Sequence, residues 1–291
     1  MVCVERNLPS TYYCGEECMN AHWQNGHKVW HKEQKQRAKE LSEGTMLEDD
    51  RSLAEAAARE AEATGSEYDK RVAAAVALMA EGDHHGAAKA WRKIIKEWPE
   101  EPSPYHNLAL VMHRSLRAME AATMFLKAME LYPDGTKPWA KSTAAAFDLL
   151  KTDECDDVPK PEWWNDEALK ALSARVVALA PDVQHVCAMR GRVLSGDALV
   201  GSKAHWSAGS RTAAEIKEAA TWYWRAAIAT DMPADKERHE SVASQCDAVA
   251  DPLLAKEAAE AAAARAAAEA EAAKARAAAE AEAAEALKVA E

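Results

Sequence analysis

The chain lacks what several protein classes require. Its six cysteines (Cys3, Cys14, Cys18, Cys155, Cys187 and Cys246) include one close pair, too few for a disulfide framework. No run approaches the roughly eighteen apolar residues of a membrane span, and the opening MVCVERNLPS has no apolar core of a secretion signal. Cations are short as well: 36 Lys and Arg against 48 Asp and Glu leave a formal charge of −12. That balance argues against nucleic acid and anionic membranes as partners, since both require a basic face. Phenylalanine occurs twice, and no Val, Ile or Thr alternation of strand length appears. The absences predict a soluble intracellular protein, cytoplasmic or nuclear, built without strands.

Catalytic signatures are missing too. The sequence has no Gly-x-x-x-x-Gly-Lys phosphate loop, no Gly-x-Gly-x-x-Gly, no His-Glu-x-x-His and no Gly-x-Ser-x-Gly. No convergent set of acid, base and nucleophile can be assembled from what remains, so a non-enzymatic role is expected.

What is present begins with Tyr12 to Glu33, YYCGEECMNAHWQNGHKVWHKE. Few large aliphatic residues are available there to drive folding by burial, so the segment needs a staple. Cys14 and Cys18 stand one helical turn apart, as do His27 and His31. Two thiolates and two imidazoles suit tetrahedral zinc. The run Tyr13-Cys14, Glu17-Cys18, Trp23, His27-Lys28 and His31 resembles the C-terminal half of a MYND-type zinc finger. That resemblance implies zinc as cofactor and a docking role toward other proteins. It also implies cysteine pairs upstream, where only Cys3 is found. Either the finger is truncated at its start, or Cys14, Cys18, His27 and His31 close on one metal. A metal-free remnant is the bland alternative.

Beyond a charged helical spacer (34–68), repetition takes over. Gly82-Asp83, Ala87, Trp91, Ile94 and Pro99 recur 34 residues later as Leu116-Arg117, Ala121, Phe125, Ala128 and Pro133. Ala74 and Leu78 map likewise onto Leu108 and Met112. A helix–turn–helix period of this length, closed by proline, resembles the tetratricopeptide repeat. Small residues let paired helices approach, rings fill the groove between them, and each proline stops the second helix. Trp139 opens a third unit on schedule; its spacing then breaks at TDECDDVPKPEWWND, and a fourth unit contains a second loop, SGDALVGSKAHWSAGSRT. The reading is an all-α protein, an α-solenoid of tetratricopeptide-like pairs over 69–251. Inserted loops fall near 152–166 and 195–211, and a closing helix at about Ala234 to Val249 ends before Pro252. The remainder, 252–291, reads as a low-complexity Ala/Glu-rich charged helix without a heptad seam.

If the repeat resemblance holds, first helices line a groove for a partner peptide or helix. Its exposed positions would be Val72 and Val76, His106, Leu110 and His113, and Ala140 and Ala144. His106, Leu110 and His113 share one helical face at i, i+4 and i+7 and are the candidate partner-binding residues. Trp163-Trp164 either packs back on the helices or serves as a second docking element. The expected function is a non-catalytic protein–protein interaction scaffold with a zinc-binding module. The alternative is a relative or fragment of a SET-and-MYND lysine methyltransferase lacking its catalytic domain.

Overall fold

The computed structural model describes residues 48–196, 199 and 206–290; the proposed ligands Cys14, Cys18, His27 and His31 lie outside them. Among the described residues there are ten α-helices, one 3-10 turn and no strand. In chain order they are α1 (Glu48–Thr64), α2 (Glu67–Ala80), α3 (His84–Glu97), α4 (Pro102–Arg114) and α5 (Ala118–Leu131). Then follow α6 (Lys137–Leu150), the 3-10 turn Asp153–Cys155, α7 (Asp166–Leu179), α8 (Gln184–Ser195), α9 (Ala213–Ile228) and α10 (Pro233–Ala290). Each helix packs on its neighbour in sequence, and α6 also packs on α8, as in an α-solenoid.

Helix starts follow local chemistry. The Ser66 hydroxyl accepts from the Asp69 amide at α2, and Asp83 accepts from the Gly86 amide at 2.9 Å at α3. Asn165 caps α7, and Thr212 with Glu215 forms a reciprocal capping box at α9. Such side-chain oxygens satisfy amides that the first turn leaves without an intrahelical acceptor.

The first two helix pairs repeat at the level of the backbone. Gly82 and Leu116, one period apart, both take positive φ, +75° and +57°. Leu116 is the one non-glycine residue among those described to do so, a conformation glycine adopts far more readily. Behind each, the next amide reaches back five residues: Asp83 to the Leu78 carbonyl and Arg117 to that of Met112, both at 2.9 Å. The ring positions match as well, with Trp91 fully buried and Phe125 nearly so beside Ala87 and Ala121. Burial departs from the alignment at two pairs: Leu108 is buried whereas Ala74 is exposed, and Met112 is buried whereas Leu78 is half-buried.

Three features depart from the sequence reading. The charged spacer helix is α1, and it packs on α2 through Ala54, Ala57 and Ala61; these alanines form an inward stripe that charge-rich composition hides. Val76, Ala140 and Ala144, expected to line the groove, are buried in seams between helices. The closing helix does not stop at Val249: α10 runs through Pro252 to Ala290. Pro252 is exposed, so the carbonyl whose helical donor it removes faces solvent, and alanine-rich flanks favour continuation. Its 58 residues would span ~87 Å at ~1.5 Å per residue. Residues 255–277 of it are exposed all round. No helix among the described residues is long and apolar enough to cross a membrane.

The described parts of the inserted loops pack on the helices. In the first, Cys155 and Val158 are buried against α5 and α6, and the Lys160 ammonium donates to the Leu150 and Cys155 carbonyls. Trp164 packs between Phe147 and Trp206, with Trp163 against it at 5.7 Å. In the second, Arg211 turns inward with its side chain 1% exposed and grips Asp166 through both terminal nitrogens, at 2.5 and 2.9 Å. The Trp206 indole also donates to Asp166, at 3.1 Å. These bonds hold the Asp166 carboxyl far below the ordinary range and fasten the loop to the start of α7.

Candidate functional site

The first helices α4, α6 and α8 are joined by two polar pairs. The His106 Nδ1 of α4 lies 2.8 Å from the Ser142 hydroxyl of α6. His185 Nε2 of α8 lies 3.3 Å from the Lys141 carbonyl of α6. His106 is not the open groove residue expected. Its ring is largely enclosed, edge-on to Phe125 at 5.2 Å and to Tyr132 at 6.5 Å, because the second repeat closes over it. Burial lowers its pKa to about 4, with His185 and Lys141 adding positive charge nearby. Burial likewise holds His185 low against the opposing pull of Asp148.

Further along the same helices stand Leu110, Ala145 and Ala188, all half-buried. Beyond them are His113, exposed on α4, and Asp148 on α6, exposed and ion-paired with Lys151. Partial desolvation by the neighbouring helices works to raise the Asp148 carboxyl, but Lys151 outweighs it and keeps the group below its usual range. Partial desolvation also lowers His113 despite Asp148. Thus His106, Leu110 and His113 do share a face with first-helix residues of the next repeats. Sequence spacing missed that Lys141, Asp148 and His185 join them. The first inserted loop breaks the period between α6 and α8, which obscures the match from Lys141 to His185.

A shallow concavity of about 290 Å³ opens beside His106, lined also by Tyr132, Lys137, Pro138 and Lys141. Lys137 is taken by Asp182 at 2.8 Å. Lys141 is half-buried and has no carboxylate within ion-pair distance among the described residues. A larger cleft of about 820 Å³ lies between α5, the first inserted loop and α7, with Tyr132, Trp139, Trp163 and Leu172 on its walls. There Arg175 lies over the Trp139 ring at 5.1 Å and binds both oxygens of Asp134.

No cluster of three or more potential metal ligands occurs among the described residues. Cys155, Cys187 and Cys246 are buried free thiols, and burial raises the pKa of the last two to about 11. No protein-family model matches the chain, and no curated protein is significantly similar to it.

Proposed function

We propose that the protein is a non-catalytic interaction scaffold that binds a peptide or helix of another protein on the face formed by α4, α6 and α8. The observation that supports this reading is that α4, α6 and α8 each leave a half-buried apolar residue, Leu110, Ala145 and Ala188, about one turn from the polar pairs that join these helices. Such a surface offers apolar contact with a polar rim, the composition of a protein-binding groove. The tetratricopeptide resemblance places ligands on the same helices. Leu110→Asp should abolish capture of a cognate partner, whereas Lys127→Asp, at an exposed position of α5, should leave it intact. Equal loss in both variants, or in neither, would move the binding surface elsewhere.

The N-terminal segment is proposed to bind zinc through Cys14, Cys18, His27 and His31, as a MYND-like docking module. The full chain should then carry about one zinc, lost on Cys18→Ser. Metal-free protein prepared without chelator would remove the module from the account. A methyltransferase relationship is the competing proposal, and a methyl-donor binding assay separates the two. Neither nucleic acid nor membrane is proposed as a partner.

A further inference from the structure

We infer that the concavity beside His106 is a carboxylate-receiving pocket, and that the peptide bound on this face is acidic and places an Asp or Glu side chain against Lys141. The inference rests on the groove reading and adds its ligand chemistry.

Four observations carry it. Lys141 is half-buried with no carboxylate within ion-pair distance among the described residues, Asp182 acting on it only at longer range, while its neighbour Lys137 ion-pairs with Asp182 directly. His106 of α4 lines the same concavity, and His185 Nε2 of α8 lies 3.3 Å from the Lys141 backbone carbonyl, close enough for the lysine's charge to act on both imidazoles. A half-buried cation beside two groups able to gain charge is an incomplete electrostatic arrangement, and an anion completes it. The space, about 290 Å³ walled by Tyr132, Pro138 and His106, fits one short side chain and not a folded element. The half-buried row Leu110, Ala145 and Ala188 begins one turn further on, so the peptide would offer apolar residues next to its carboxylate.

The anion is a peptide carboxylate rather than a polyanion on grounds of charge. A formal charge of −12 repels nucleic acid over the whole surface, whereas one local carboxylate needs only the local cations. Protons should follow the ligand. The charged and titratable groups around His106 and His185 are Lys141, Lys137, Tyr132, Asp148 and Asp182; of the two carboxylates, Asp148 is held by Lys151 and Asp182 by Lys137. A bound carboxylate therefore favours imidazolium and draws in a proton, which tightens binding as pH falls.

The test uses the full chain and three fluorescent peptides with blocked termini, alternating leucine with glutamate, glutamine or lysine. The glutamate probe should bind about tenfold or more tightly than the glutamine probe, and its affinity should rise from pH 7.5 to 6.0. Lys141→Met should remove that preference, Lys141→Arg should retain it, and Lys127→Met should leave it unchanged. His185→Gln should flatten the pH dependence, a readout that a purely structural loss does not mimic. Equal binding of the glutamate and glutamine probes, both abolished by Leu110→Asp, would overturn the carboxylate pocket and leave the groove standing. Preference for the lysine probe, or equivalent Lys141-dependent capture of single-stranded DNA, would overturn it as well. No binding of any probe would overturn the pocket; loss of partner capture on Leu110→Asp would still uphold the groove.

Discussion

Trp91→Ala should lower folding stability by ~3–5 kcal/mol, the range for truncating a buried large aromatic residue. Trp91 is fully buried between α2 and α3, and its indole nitrogen donates to the Met79 sulfur at 3.2 Å. Ala75, Ala87 and Ala88 surround the seam with side chains too small to refill the space. Truncation therefore leaves a cavity instead of a repacked core. Phe125→Ala, one period later, should cost a similar amount, because it plugs the same position between α4 and α5 and supports the His106 ring. Chemical denaturation of each variant measures the effect. A Trp91→Ala protein as stable as the parent would mean that the ring does not plug the seam between α2 and α3.

The two ring positions were legible because their period is local and unbroken. Each repeat closes on itself, so residue spacing alone records which side chains meet. The second half was less legible for a physical reason. Its order depends on contacts that skip across inserted loops, such as Arg211 with Asp166 over 45 residues. Such a pair leaves no periodic trace. Arg211 in a Gly/Ser-rich segment reads as a solvated charge until its partner is in place.

The groove residues illustrate the same limit. The i, i+4, i+7 spacing placed His106, Leu110 and His113 on one face, and they do share one. Exposure is another matter: His106 is enclosed by Phe125 and Tyr132 of its own repeat and bonded by Ser142 of the next, while Val76, Ala140 and Ala144 vanish into seams. Periodicity assigns a face to each residue. How deeply a neighbouring helix covers that face is decided by the stacking angle, which the pattern of one helix does not contain. The alanine stripe of α1 was hidden by a related effect, since Ala54, Ala57 and Ala61 are surrounded in sequence by carboxylates and other alanines.

Acid should destabilise the fold mainly between about pH 6.5 and 4, before most carboxylates titrate. His106 has a folded pKa of about 4 because burial disfavours its cation, and in the unfolded chain it returns to the ordinary ~6.5. Between those values the unfolded state binds more protons than the folded state, so stability falls as pH falls. The group's contribution is complete above pH 6.5 and gone below about 4. The shift corresponds to at most ~3 kcal/mol, reduced by whatever solvent the ring retains. His113, His185 and His239 are all lowered, chiefly by burial, and add loss of the same sign. Asp148 does not enter this window, because a carboxyl lowered from 3.8 loses its contribution only at more acid pH. Urea midpoints at pH 7.5, 6, 5 and 4.5 should decline progressively, and His106→Gln should shallow the slope while lowering the plateau. A flat midpoint across that range would mean that His106 is solvated in the folded protein, and with it would go the enclosure by Phe125, Tyr132 and Ser142.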